Sequence, residues 1–360
     1  MDYTKFKQTE LIALCKERNI KGYSGKNKQE LIELLGPEPV TSEKLRMIDL
    51  FAGTGAFTHA FQQTGKVNCV FANDMVEASK KAYDANFGET HALTLGDLND
   101  IKVETIPAHD ILTGGFPCQP FSLAGKQEGF QDPRSNVFWK ILEIIDYHKP
   151  SCVVLENVKN LVTHDDNKTF ETIKKNLTDR DYHIKFKVLD TAKITGIPQH
   201  RERIYIICMK SKDALDKFSL DFEVKPKAKI SSMLETNQIP DKYYYTSVSS
   251  TWPLVSESVT KKETIYQYRR VYVRENKSDE CPTLTANMGS GGHNVPIILD
   301  DKGIRKLTPR ECFNFQGFPQ TYKLPGLADS GLYKLAGNAV SVPVVKLIAE
   351  RLVPLLSVTV

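Results

Sequence analysis

Leu45-Arg46-Met47-Ile48-Asp49-Leu50-Phe51-Ala52-Gly53-Thr54-Gly55 is the stretch that decides the fold. A short apolar run enters a turn carrying two glycines, and a helical pattern follows from about Phe57. Glycine in such a turn lets backbone approach a ligand closely, although a glycine turn alone fits dinucleotide enzymes equally well. The same unit repeats down the chain. Val67–Ala72 reads as a second strand ending in Asn73-Asp74, with a helix to Asn86. Ala92–Leu95 leads into Gly96-Asp97, and Asp110–Thr113 leads into Gly114-Gly115-Phe116-Pro117-Cys118. A helix over Asn136–Tyr147 precedes the strand Cys152–Leu155, which ends in Glu156-Asn157. Strands over Ile184–Leu189 and Arg203–Met209 follow. Strands alternating with helices predict an α/β fold with a doubly wound, Rossmann-like sheet. The polar strand-end residues then line one edge of it, where open α/β sheets bind their ligands.

Composition sets the outer limits. The chain has 360 residues, 41% hydrophobic and 26% charged, with a net charge of +4. That balance suits a globular protein and permits a nucleic-acid partner without requiring one. Seven cysteines, none close to another, argue against a disulfide framework and against a metal site. The amino terminus lacks the apolar core of a signal peptide, and no run of about 20 apolar residues suggests a bilayer span. The expected setting is cytoplasmic and reducing, with no membrane and no metal.

The flanks differ from the centre. Residues 1–36 read as a small helical module: Leu11, Leu14 and Cys15 mark one helix, and Leu31, Ile32, Leu34 and Leu35 a second. Ile20–Lys26 between them is a basic, glycine-punctuated turn, and the module resembles the SAP-type helix–extended–helix units that bind nucleic acid. A hairpin that merely packs on the main body fits the same residues. Residues 37–44 read as a linker, 45–210 as the alternating strand–helix domain, and 307–360 as its return. Within 211–306 the periodicity breaks down, and Tyr266, Tyr268, Arg269, Arg270, Tyr272 and Arg274 interleave aromatic and basic side chains. This segment reads as a smaller, irregular, β-rich domain, and an edge β-region with ordinary exposed charge is an equal alternative. A helix over Thr308–Gln316 and a closing helix over Ala339–Leu355 complete the chain.

Cys118 is the one cysteine presented by a stiff turn at a strand end. A thiol so placed suits a nucleophile, although most free cysteines are structural. Asp74 and Asp97 end the second and third strands, where they could receive ribose hydroxyls and an adenine amino group, or simply cap helices.

Six blocks together carry a resemblance. They are Asp49–Gly55, Gly115-Phe116-Pro117-Cys118-Gln119, Glu156-Asn157-Val158, Gln199-His200-Arg201-Glu202-Arg203, Arg310-Glu311-Cys312 and Gly337-Asn338-Ala339-Val340. In this order they resemble the DNA (cytosine-5)-methyltransferases of the compact restriction–modification type. The resemblance implies S-adenosyl-L-methionine-dependent methylation of carbon 5 of a cytosine flipped out of a specific duplex DNA sequence. It implies a covalent adduct of Cys118 at carbon 6, Glu156 managing a proton at ring nitrogen 3, and Arg201 and Arg203 near the cytosine oxygen. It makes 45–210 with 307–360 the catalytic and cofactor-binding domain and 211–306 the target-recognition domain, and it assigns cofactor binding to Phe51, Gly53, Gly55, Asp74, Asp97, Pro117, Asn338 and Val340. Gln119, Ser122, Lys126 and Arg134 fall in a mobile loop that closes over DNA, and Arg269, Arg270 and Thr283 are further DNA-binding candidates. A monomer in a bacterial, phage or viral context is expected. Asp74 stands where many relatives have glutamate, and Thr54 and Ala56 make the first turn less glycine-rich. The alternatives are the family's tRNA-methylating branch, whose Cys-Phe-Thr motif stands where this chain has Cys281-Pro282-Thr283, a catalytically inactive DNA-binding protein, and a cysteine hydrolase.

Overall fold

The computed structural model describes residues 6–17, 21–35, 44–117, 137–269, 271–290 and 295–356. The chain divides into two compact units, Met1–Lys44 and Leu45–Val360.

In the first unit, α1 (Gln8–Glu17) and α2 (Lys28–Leu35) close on a small core of Leu11, Cys15, Leu31 and Leu35. Asn27 and Glu30 cap α2 reciprocally: the Glu30 amide donates to Asn27 Oδ1 and the Asn27 amide to Glu30 Oε2. This satisfies two of the amides that a helix start leaves unpaired. The connecting turn is held by Gln8 Nε2 donating to the Lys26 carbonyl.

The second unit opens with β1 (Leu45–Leu50), α3 (Ala56–Gln62), β2 (Val67–Asp74), α4 (Glu77–Phe87), β3 (Thr94–Leu95) and β4 (Ile111–Gly115). It continues through α5 (Val137–His148), β5 (Cys152–Val158), α6 (Lys168–Thr178), β6 (His183–Asp190), α7 (Thr191–Thr195) and β7 (Glu202–Met209). These strands form one sheet in the order β3-β2-β1-β4-β5-β7-β6. β7 runs antiparallel to both of its neighbours, while the remaining pairings are parallel. The side chains alternate between two cores. Met47, Cys152, Val154, Tyr205 and Ile207 face one cluster, and Ile48, Val153, Leu155, Ile204 and Ile206 face the other. Burial on both faces is what makes these strands nearly continuous apolar runs.

The rest of the unit is α8 (Lys212–Lys217), α9 (Trp252–Ser258), β8 (Ile265–Tyr268), β9 (Val273–Asn276), β10 (Ile297–Leu299), β11 (Ile304–Lys306), α10 (Pro309–Phe315), α11 (Asp329–Asn338) and α12 (Val342–Leu352). A four-stranded sheet of order β11-β10-β8-β9 is antiparallel throughout. Its small core contains Val255, Val259, Tyr266, Ile297 and Ile304. Arg305, almost fully buried, makes two hydrogen bonds to Glu311 (both 2.8 Å) and one to Asp300 (2.6 Å), fastening β11 to the start of α10. Glu311 also completes a capping box with Thr308, so this carboxylate of the Arg-Glu-Cys block is structural.

Two expectations need correction. The closing helix starts at Val342 rather than Ala339, because residues 339–341 are not helical, and a further helix, α11, precedes that break. Asp329–Leu355 also has the length and composition of a membrane-crossing segment, where none was expected. Of its most apolar window, 72% is buried inside the protein. Its apolar faces belong to the core, where Val345, Ile348 and Leu352 of α12 join the same cluster as Phe57 and Phe61 of α3.

Candidate active site

The strand order reverses between β1 and β4, which opens a crevice beyond their carboxyl ends. One wall is the turn after β1. Phe51 adopts φ 54°, and Gly53 and Gly55 adopt 55° and 72°. A left-handed phenylalanine costs about 1–3 kcal/mol and persists only where its surroundings impose it. At Gly55 a Cβ would sit 2.4 Å from Phe87 Cε2, so only glycine fits. Asp49, fully buried beneath the turn, accepts from the Thr58 amide (3.1 Å), Thr58 Oγ1 (2.8 Å) and Thr113 Oγ1 (3.1 Å), linking β1 to α3 and β4. Burial pushes its carboxyl up to about 6.

Asp74 holds the same turn from β2. Its Oδ2 accepts from the Gly53 amide (2.9 Å) and its Oδ1 from the Val76 amide at the start of α4 (2.8 Å). Burial raises its pKa against these hydrogen bonds. Asp97 instead caps the short turn after β3: its Oδ1 accepts from the Asn99 amide (2.9 Å) and Asn99 Nδ2 (3.1 Å). Beside Asp74, Met75 is 67% exposed.

The opposite wall comes from β4 and β5. Gly115 pairs with Glu156 across the sheet. A Cβ on Gly115 would lie 3.3 Å from Val340 Cγ2 and 3.5 Å from Glu156 Oε2, so this glycine allows the Val340 segment to close onto the strand. Asn157, quoted in the Glu-Asn-Val block but given no role, donates from Nδ2 to the Phe116 carbonyl (3.0 Å) and accepts the Val158 amide at Oδ1 (2.8 Å). It therefore pins the backbone two residues before Cys118. Pro117 is exposed at the strand end. Cys118, Gln119, Ser122, Lys126 and Arg134 lie outside the described residues.

Glu156 is 7% exposed. Its Oε1 lies 3.3 Å from Arg203 Nε, yet it makes no hydrogen bond. Burial raises its pKa, and the positive charges of Arg203 and then Arg201 pull it back. Arg203, half-buried, also donates from Nη1 to the Glu202 carbonyl (2.8 Å). Arg201 is buried, and its guanidinium donates to the backbone carbonyls of Leu284 (2.9 Å), Ala339 (2.7 Å) and Gly337 (3.3 Å). Burial and the charge of Arg203 push it down to about 9.

A separate cleft of about 470 Å³ gathers His200, Gln267, Arg269, Arg274, Asn276 and Thr283 among its lining residues. Arg269 Nη2 donates to Gln267 Oε1 (3.0 Å), and Thr283 Oγ1 donates to the His200 carbonyl (2.7 Å). The structure thus brings Arg269 and Thr283 together and adds Arg274, while Arg270 lies outside the described residues. Asn338 is exposed at the end of α11, beside the half-buried Val340.

Residues 45–354 match the family model of C-5 cytosine-specific DNA methylases. Residues 2–35 match that of the Rho termination factor N-terminal domain, leaving the likeness to SAP-type units without support from this comparison. The chain is 46% identical over 311 residues to the Type II methyltransferase M.Bsp6I of Bacillus sp. (strain RFL6), covering 86% of this chain and 98% of that protein. It is 35% identical over 326 residues to M.HhaI of Haemophilus parahaemolyticus, covering 86% and 94% respectively. Among solved structures, the fold is like that of the Schizosaccharomyces pombe Dnmt2 methyltransferase, with a TM-score of 0.68 at 22% identity over 87% of this chain and 99% of that one. The chain belongs to the C-5 cytosine-specific DNA methylase family.

Proposed function

We propose that this enzyme methylates carbon 5 of a cytosine flipped out of a specific duplex DNA sequence, through a covalent adduct of Cys118 at carbon 6, and that it acts in the cytoplasm as a monomer. The observation that carries the reading is Glu156: a buried carboxyl with a raised pKa, one oxygen without a hydrogen bond, and an arginine alongside. A buried acceptor left unpaired costs about 1–3 kcal/mol, and a ring nitrogen that gains a proton would supply its missing partner. Attack of the Cys118 thiolate on carbon 6 sends ring electrons toward nitrogen 3, where protonated Glu156 delivers its proton. Carbon 5 is then nucleophilic. After methyl transfer it loses its own proton to a base, Cys118 is eliminated as thiolate, and nitrogen 3 returns its proton to Glu156. Arg203 beside Glu156 adds positive charge that favours a thiolate. Flipping is needed because a stacked base cannot reach such a site, and unstacking costs a few kcal/mol.

The crevice fits S-adenosyl-L-methionine by its chemistry. The left-handed turn at Phe51, Gly53 and Gly55 lets backbone approach a ligand, and Asp74 places a carboxylate beside it. Pro117, Asn338 and Val340 would close the pocket from the other wall, and Asp97 would keep one carboxylate oxygen for the adenine. The cofactor supplies the methyl group as a sulfonium. DNA would run along the cleft of Arg269, Arg274 and Thr283, where arginine and amide side chains suit base edges, with the segment holding Gln119, Ser122, Lys126 and Arg134 covering the flipped base and Arg270 as a further DNA contact. The test offers the protein labelled S-adenosylmethionine with duplex DNA, with tRNA and with neither. Label entering 5-methylcytosine of DNA alone is the expected result. Label in tRNA, or none in DNA, would overturn the reading.

A further inference from the structure

We propose that Arg201 is a positioning residue that couples the DNA-facing cleft to the cofactor wall, so that occupancy of either one tightens binding at the other. The inference rests on the reading of those two sites given above, and goes beyond it in assigning the connection to one side chain. The Arg201 guanidinium joins two backbone segments distant in sequence. Nη1 donates to the carbonyl of Leu284, and Nη2 to those of Gly337 and Ala339. Leu284 lies between Thr283 and Thr285, both of which line the cleft. Gly337 and Ala339 flank Asn338 and lead into Val340, which closes on Gly115.

Two independent features tie the same segments together. A Cβ on Gly337 would stand 2.1 Å from the Thr285 carbonyl oxygen, so α11 ends in direct backbone contact with the cleft loop. Gln199 ties the cleft loop to the end of α10, donating to the Phe315 carbonyl (2.6 Å) and accepting the Leu284 amide (3.4 Å), and the adjacent Gln316 donates to the Ala336 carbonyl of α11 (2.7 Å). A contact made by Thr283 or Thr285 to DNA therefore bears on Leu284, and through one rigid guanidinium on the chain carrying Asn338 and Val340. Planarity matters here, because a guanidinium holds its donors in a fixed fork whereas an ammonium is a flexible point charge. With Nη1 and Nη2 given to main-chain carbonyls and only Nε left without a partner, Arg201 acts on the reaction through position, unlike Arg203 beside Glu156.

The test measures S-adenosylhomocysteine affinity with and without a duplex carrying the sequence that the enzyme itself methylates in a random library. The ratio of the two dissociation constants is the coupling, and by linkage it is the same factor for DNA. For the wild type it should be roughly fivefold or more. In Arg201→Lys it should fall below about twofold, while DNA-free affinity stays within about threefold and the KM for S-adenosylmethionine on DNA rises more than kcat falls. An unchanged ratio in Arg201→Lys, or no coupling in the wild type, overturns the proposal. Should the variant not fold, hydrogen exchange on the wild type decides. S-adenosylhomocysteine alone should protect amides 284–288 as well as 339–340, and protection confined to the latter would overturn it. Failure of the wild type to bind S-adenosylhomocysteine at all would instead sink the cofactor reading, and this proposal with it.

Discussion

Glu156 and Asn157 sit side by side at the end of β5 and divide the work between chemistry and placement. Glu156 is raised by burial, so its protonated form persists to higher pH than in an ordinary carboxyl. If that form delivers the proton to nitrogen 3, kcat declines as pH rises through the raised pKa. Glu156→Gln should be both slow and free of that limb, and a pH–rate profile in which the variant keeps the limb would remove Glu156 from the proton step. Asn157 acts on the backbone of Phe116. A misplacement of about 1 Å at a reacting group can cost on the order of 100-fold, so Asn157→Ala should lower kcat about 10- to 100-fold, beyond the loss of about 1–3 kcal/mol in stability that unpairing buried backbone groups brings. Wild-type kcat in that variant would show that the Phe116 anchor does not set the aim of Cys118.

The elements explain what was legible in the sequence. Strands such as Cys152–Val158 and Glu202–Met209 are buried on both faces, and a continuous apolar run with a polar pair at one end announces them. α11 was missed because Gly331, Gly337 and Asn338 read locally as turn, whereas its helix is held by the tertiary packing of Leu332, Leu335 and Ala336. The motif places Arg201 beside Arg203, but its carbonyl partners lie 83 to 138 residues away and leave no trace in spacing. The antiparallel β7 was likewise unreadable, since insertion of a strand between β5 and β6 depends on pairing rather than composition.

Asp49 shows how the β1 turn is built around a cost. Its folded pKa of about 6 lies above the ordinary 3.8. The folded state therefore holds the proton more tightly than the unfolded chain does. The associated stability is full below pH 4 and is lost as pH rises through about 6, a change of about 3 kcal/mol at 1.36 kcal/mol per unit. Asp49→Asn lacks this titration, so urea unfolding should show the variant gaining on the wild type across that window. Parallel stability curves would contradict the assignment.

At the scale of the whole molecule, one mixed sheet presents the glycine turn, Asp74, Gly115, Glu156 and Arg203 from separate strand ends, while the smaller antiparallel sheet contributes Arg269 and Arg274 to a cleft of its own. Among the described residues, the N-terminal unit has a core of only a few side chains, in keeping with the small size of such modules. We expect its deletion to weaken DNA affinity with little change in sequence preference and to reduce the salt dependence of binding. An unchanged salt slope would rule out phosphate contacts by residues 1–36.

The central claim is that the methylated cytosine passes through a covalent bond to Cys118. Duplex DNA in which 5-fluorocytosine replaces the target cytosine tests it most directly, because fluorine cannot leave carbon 5 as a cation and the adduct cannot collapse. With S-adenosylmethionine present, the wild type should accumulate a methylated protein–DNA band on denaturing gels, whereas Cys118→Ala should bind the duplex and form none. No trapped band from an enzyme that methylates ordinary DNA, or an equal band from Cys118→Ala, would contradict the account.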